Sequence, residues 1–338
     1  IIARSDFPFE KELARKIAQF CDVREDAVIP LVTADLLYEI PLILEQAHVA
    51  DILLERLKLE PKYPPKLQGW KTMVSELRRQ KPTVKVGLVG KYVELHDAYL
   101  SVREALNHAA LYYGVGVDLK WISSTDVEKN NALDTLSGLD AILVPGGFGS
   151  RGVEGKVMAA QYARENKIPY LGLCLGLQVM MIDFARNVLG LENADSAEFD
   201  KLTPDPVIDL MLEQRGLDQM GGTMRLGLYP CHIKPETKAS VLYRAEEIQE
   251  RHRHRYEFNN EYREKFEENG IIFSGVSPDG ILVEMAELSK HPFMMACQFH
   301  PEFLSRPNRA HPLFLGFIEA ACKKAGYSDQ LVNLDFTN

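Results

Sequence analysis

At 338 residues the chain is long enough for two domains and a full core, and its five cysteines (Cys21, Cys174, Cys231, Cys297, Cys322) suggest neither a disulfide framework nor a structural zinc site, being odd in number and nowhere spaced as CxxC. Apolar residues make up 46% and charged residues 26%, and 39 basic against 48 acidic residues leave a net charge of −9, which argues against a dedicated nucleic-acid binder or a polybasic membrane anchor. The longest apolar runs, such as Ala141-Ile142-Leu143-Val144, fall far short of the ~18 residues a membrane span needs, and no charged-then-apolar signal opens the chain, so the sequence reads as cytoplasmic.

The chain opens on Ile1-Ile2-Ala3 without an initiator Met, which reads as the end of a buried strand and the whole as a fragment. Residues 1–57 then make a short helical unit, too small for a domain of its own. Glu10 to Phe20 carries apolar residues at Leu13, Ile17 and Phe20, and Asp35 to Ala47 is a second amphipathic stretch. Residues 58–80 form a linker marked by Pro61, Pro64 and Pro65, with a helical pattern from Trp70 to Arg79. The second domain is expected from Lys81 to residue 328, followed by a tail over 329–338.

From Lys81 onward β-branched runs alternate with helical patterns. Strands are expected at Val84–Val89, Val115–Ile122, Ala141–Val144 and Ile168–Leu173, and helices at Ala98–Tyr112, Val153–Glu165 and Gly176–Leu189. That alternation predicts an α/β fold with an open, mostly parallel sheet and helices on both faces. After Asn193 the texture changes to shorter strands at Ile271–Val276, Ile281–Met285 and Phe293–Gln298, before a final helix at Pro312–Lys324.

Three segments carry chemistry. Gly172-Leu173-Cys174-Leu175-Gly176 joins a buried strand to a helix. A nucleophile on such a turn is pushed outward, and the helix N-terminus favours a thiolate and can donate N–H groups to an oxyanion. The competing reading makes Cys174 an ordinary buried core cysteine. Pro145-Gly146-Gly147-Phe148-Gly149-Ser150-Arg151-Gly152 contains a literal G-x-G-x-x-G. The acid that a dinucleotide site needs is missing from the end of the next strand, and Gly155-Lys156 is followed by Val157 where a P-loop has Ser or Thr. The loop is better used to offer the N–H of Gly146 or Gly147 to an oxyanion, beside that of Leu175. In Gln298-Phe299-His300-Pro301-Glu302, residues two apart on extended chain share a face, so Glu302 can orient the His300 imidazole that serves Cys174.

Two further stretches stand out. Arg251-His252-Arg253-His254-Arg255-Tyr256 reads either as a solvated basic loop or as a site for an acidic ligand, since a guanidinium grips a carboxylate with two hydrogen bonds. Gly221-Gly222-Thr223-Met224-Arg225-Leu226-Gly227 reads as a glycine-bounded strand or lid.

Together these residues resemble a class I, triad-type glutamine amidotransferase domain. The elbow GLCLGLQ from Gly172 and QFHPE from Gln298 carry the general likeness. PGGFGSRGVEGK from Pro145, SAEFD from Ser196, GGTMRLG from Gly221, RHRHRYEFNN from Arg251 and QFHPEFLSRP from Gln298 narrow it to the domain at the C-terminus of the CTP synthase family. Residues 1–57 are similar to the end of that family's synthase (amidoligase) domain.

The resemblance implies a catalytic triad of Cys174, His300 and Glu302, with glutamine held by Gly146, Gly147, Phe148, Leu175, Gln178, Glu198 and Arg255. It implies ATP and UTP contacts at Arg4 and Lys16 respectively, and an activator contact for GTP at Arg225. It implies no metal and no cofactor in the glutaminase site, with ATP and Mg2+ serving the amination of UTP in the complete enzyme, which is a homotetramer. The family's phosphate-binding loop and magnesium carboxylates precede Ile1, and Thr33 stands where the family has an Asp near the adenine. The rival readings are a γ-glutamyl peptidase or related cysteine hydrolase on the same scaffold, and a catalytically silent regulatory module.

Overall fold

The computed structural model describes residues 1–130, 132–210, 224–334 and 336, and the chain divides into two units between Arg79 and Gln80. In the first unit, strands β1 (Ile2–Ser5) and β2 (Ile29–Val32) pair in parallel, Ile2 opposite Ile29. Helices α1 (Lys11–Cys21), α2 (Ile40–Gln46), α3 (Val49–Leu57) and α4 (Gln68–Arg78) complete it. The helical pattern expected from Trp70 to Arg79 is α4, on which Trp70 donates its indole N–H to the Tyr38 carbonyl at 2.7 Å. The buried opening strand expected at Ile1-Ile2 is instead half exposed, as are Leu13 and, more fully, Phe20 on α1, because two strands alone cannot cover both of their faces.

The second unit is built on a nine-stranded sheet in the order β10-β9-β12-β13-β14-β6-β5-β3-β4. Its parallel part comprises β3 (Thr83–Gly90), β4 (Gly116–Ser123), β5 (Ala141–Val144), β6 (Tyr170–Leu173) and β14 (Met294–Cys297). These strands alternate apolar residues to opposite faces. Val86, Leu88, Leu143, Leu171 and Cys297 pack with α5 (Leu100–Tyr112) and α12 (Pro312–Lys324), whereas Val89, Val144, Tyr170 and Ala296 pack with α8 (Val153–Asn166) and α9 (Leu175–Asn187). Between β4 and α8 run the short helices α6 (Ser124–Lys129) and α7 (Ala132–Leu136).

Beyond β14 the sheet turns antiparallel through β13 (Val283–Leu288), β12 (Ile271–Val276), β9 (Arg225–Ile233) and β10 (Glu247–His254). Half of the sheet's strand pairs are thus antiparallel. The parallel motif was visible as βαβ alternation, while β10, joined to β9 by α10 (Lys238–Tyr243), carries mostly polar residues. A separate three-stranded sheet is formed by β7 (Ala194–Ser196), β8 (Asp205–Leu210) and β11 (Tyr256–Phe258), and α11 (Arg263–Glu268) follows β11 in sequence. The segment expected to be a tail is tied down as far as Leu334, since the N–H groups of Val332 and Leu334 donate to Tyr113 and Tyr112 at 3.4 and 2.8 Å. Gly221, Gly222 and Thr223 of the glycine-bounded segment fall outside the described residues.

Candidate active site

Cys174 caps α9 with φ 52° and ψ −101°, a conformation that costs a non-glycine residue ~1–3 kcal/mol and persists only where its surroundings enforce it. Two glycines make that turn possible. A Cβ on Gly172 would stand 2.5 Å from the Gly176 carbonyl oxygen, and one on Gly176 would stand 2.2 Å from that of Val144. The Cys174 N–H donates to the Cys297 carbonyl at 2.7 Å, which fixes the elbow beside the end of β14.

That register delivers the partner residues. β14 pairs with β6 through Cys297 opposite Leu173, so the residues after Cys297 run alongside Cys174. The Gln298 side-chain amide donates toward Cys174 Sγ at 3.6 Å, and two residues on, the His300 Nδ1 meets Glu302 Oε1 at 2.8 Å. The His300 N–H is held by the Arg251 carbonyl of β10 at 2.8 Å. With Nδ1 engaged by Glu302, Nε2 is the atom left for Cys174. Burial opposes charge on His300, but Cys174 and Glu302 together outweigh it and raise the imidazole from 6.5 to about 10. The imidazolium so favoured is the counter-ion that a reactive thiolate needs.

The Pro145–Gly152 loop closes the site. A Cβ on Gly146 would lie 2.8 Å from His300 Cε1 and 3.4 Å from Cys174 Cβ, so only glycine brings backbone this close to both. The loop is fastened at three points. Lys91 Nζ donates to the carbonyls of Phe148 and Gly149 at 2.7 and 3.3 Å, Glu198 Oε1 accepts from Gly149 N–H at 3.1 Å, and Lys156 Nζ donates to Pro145 O at 3.1 Å. The last glycine of the G-x-G-x-x-G run and the next one beyond it serve packing: Gly152 caps α8 at φ 74°, and a Cβ on Gly155 would lie 1.8 Å from the Ser124 carbonyl oxygen.

Leu175 opens α9, where its N–H is one of those a helix start leaves unpaired within the helix. Gln178 is buried beneath the nucleophile, its amide donating to the Tyr256 carbonyl at 3.1 Å and to Gln298 Oε1 at 3.4 Å. Phe148 is half exposed under the Arg253 guanidinium. Arg255 is half-buried between β10 and β11, close enough to Tyr256 to act, with Glu198, on its phenol.

Arg4 and Lys16 are exposed in the first unit, Lys16 beside Glu12, and Thr33 donates to Asp6 at 2.9 Å. Arg225 does not face solvent: its guanidinium contacts Glu284 at 2.6 Å and covers the Tyr229 ring. The stretch weighed as a solvated basic loop is strand β10, with His252 and His254 pointing into the protein and Arg251 and Arg253 outward. Its strict His/Arg alternation was the available signal. His252 Nδ1 meets His254 Nε2 at 2.9 Å, and burial pushes the two imidazoles down to about 2 and about 3. Gln298 and Lys156 escaped the sequence reading. The first shares the face of His300 by period two, while the second was weighed only as the lysine of a P-loop. Among the described residues no group of three or more His, Cys, Asp or Glu could hold a metal ion, and no helix is long and apolar enough to cross a membrane.

A cysteine on a strained elbow, a histidine held by a carboxylate and a glycine loop beside both come together here, and the chain belongs to the class I glutamine amidotransferase family, whose family model matches residues 94–320. Residues 1–59 match the model for the CTP synthase N-terminus. CTP synthases of Staphylococcus aureus strains JH9 and Newman are each 53% identical over 323 residues, which is 96% of this chain and 60% of theirs, so the chain spans about three fifths of the length of these relatives. Among solved structures, the glutaminase domain of the Trypanosoma brucei CTP synthase with bound acivicin matches with a TM-score of 0.68 and 40% identity, covering 71% of this chain and 94% of that one.

Proposed function

We propose that this chain is the glutaminase part of a CTP synthase, hydrolysing glutamine to glutamate and ammonia at Cys174. In the complete enzyme the ammonia serves the ATP-dependent ligase reaction that aminates UTP to CTP in pyrimidine biosynthesis. The observation that carries the reading is the meeting of three independent segments at one point, with Cys174 at positive φ, the His300–Glu302 pair at 2.8 Å, and Gly146 against both reacting side chains.

The chemistry follows from an amide's resistance to attack. Cys174 Sγ adds to the side-chain carbonyl carbon of glutamine, and the resulting oxyanion is held by backbone N–H groups of the Gly146-Gly147 loop and of Leu175. His300 delivers its Nε2 proton to the departing nitrogen, the C–N bond breaks, and ammonia leaves a glutamyl thioester on Cys174. His300 then takes a proton from water as its oxygen attacks the thioester carbonyl, and glutamate and the thiolate are released. Glu302 keeps the imidazole oriented and stabilises its charged form. Arg255 and Glu198, flanking Tyr256 beside the loop, are suited to the α-carboxylate and α-ammonium of glutamine.

By the family resemblance the full-length protein is a cytoplasmic homotetramer that uses ATP and Mg2+ and responds to GTP. Arg4 and Lys16 are exposed, and among the described residues no group of three or more His, Cys, Asp or Glu is fit for Mg2+. The reading is tested by measuring ammonia and glutamate released from glutamine, and separately from γ-glutamyl peptides. Turnover of glutamine supports it, and turnover of the peptides alone would reject it.

A further inference from the structure

Lys156 lies on the first turn of α8 and is only 1% exposed. Its ammonium donates to the Pro145 carbonyl oxygen at 3.1 Å and stands 3.5 Å from where a Cβ on Gly147 would be. Among the described residues no carboxylate lies within ion-pair distance of it. A buried ammonium without a carboxylate partner is a costly arrangement, so stability does not explain it. Burial, with the charge of Lys91, pushes the amine from 10.5 down to about 7, and Cys174 is near enough to oppose that fall.

The atom that Lys156 holds has a specific consequence. In a trans peptide the C=O and N–H point in opposite directions, so fixing the Pro145 carbonyl fixes the direction of the Gly146 N–H. Gly146 and Gly147 have no Cβ to restrict that peptide themselves, and glycine pairs rotate readily. The loop's other two ties, Lys91 and Glu198, act at Phe148 and Gly149, beyond the glycine pair. Gly146 is also the residue where an added Cβ would crowd both Cys174 and His300.

We propose that Lys156 is a positioning residue, whose ammonium draws the Pro145 carbonyl inward so that the Gly146 N–H faces the oxyanion formed above Cys174. This rests on the glutaminase reading given above.

The test is Lys156→Met, close in shape but unable to donate, measured beside the unaltered chain for glutamine turnover and for alkylation of Cys174 by iodoacetamide, whose displacement of iodide forms no oxyanion. Loss of oxyanion positioning lowers kcat about 100-fold, the lower end of the range for a lost oxyanion donor. KM and the alkylation rate stay within about threefold, and the melting temperature does not fall, because an apolar side chain replaces a buried charge. Lys156→Gln, which keeps a donor, recovers part of kcat. An unchanged kcat in Lys156→Met overturns the proposal, and so does alkylation falling in step with kcat, which would make Lys156 an activator of the thiol. Failure of both variants to fold would also overturn it, by assigning the residue to stability. Absence of glutamine turnover in the unaltered chain would reject the glutaminase reading instead.

Discussion

Gly146 and His300 approach more closely than any side chain at position 146 would permit, since a Cβ there would lie 2.8 Å from the imidazole Cε1. Gly146→Ala must therefore move either the loop or the imidazole. Because a displacement of about 1 Å at reacting groups costs ~100-fold, kcat for glutamine should fall by at least that factor while the domain stays folded. Steady-state kinetics with circular dichroism decide it, and activity within threefold of the original would show that the loop does not form the site.

Cys174 holds a backbone conformation that suits glycine. Cys174→Gly should abolish glutamine hydrolysis and raise the melting temperature by about 3 °C relative to Cys174→Ala, as release of ~1 kcal/mol of strain implies. A glycine variant no more stable than the alanine variant would show that the elbow carries no strain.

The charged state of His300 gives a prediction with a definite sign. Burial opposes the charge, but Cys174 and Glu302 raise the folded-state value from 6.5 to about 10. The stability it contributes is fully present below pH ~6.5 and is lost as the pH rises through ~10. The difference in melting temperature between the unaltered chain and His300→Gln should shrink over that interval, and a difference growing with pH would contradict the ion pair. In Cys174→Ala the imidazole should titrate lower, which NMR of the ring carbons would detect.

Much of this site was legible in the sequence because backbone geometry demands particular residues. The elbow needs glycines at 172 and 176 to avoid carbonyl oxygens at 2.5 and 2.2 Å, and the His300–Glu302 pair follows from period two on extended chain. The β3, β5 and β6 strands were readable as apolar runs between helical patterns, since strands covered on both faces are apolar throughout. What escaped depends on long-range packing. β10 buries two histidines and a glutamate instead of aliphatic residues. Lys156 escaped for a related reason, because nothing local in GVEGK signals that its amine ends at Pro145.

The synthase half supplies a complementary prediction. Arg4 and Lys16 are exposed, and Gly155-Lys156 is followed by Val157 where a P-loop has Ser or Thr, so this chain supplied with ATP, Mg2+, UTP and ammonia should make no CTP. Ammonia bypasses Cys174 and isolates the question to residues 1–79. CTP detected by chromatography in that mixture would show that the first unit is catalytically sufficient.

The central claim is that Cys174 carries the glutamyl group. Mass spectrometry of the chain acid-quenched during glutamine turnover tests it most directly. A glutamyl thioester on the peptide containing Cys174, absent from Cys174→Ala, is the expected result, and ammonia released at an undiminished rate by Cys174→Ala with no acyl group on any cysteine would contradict it.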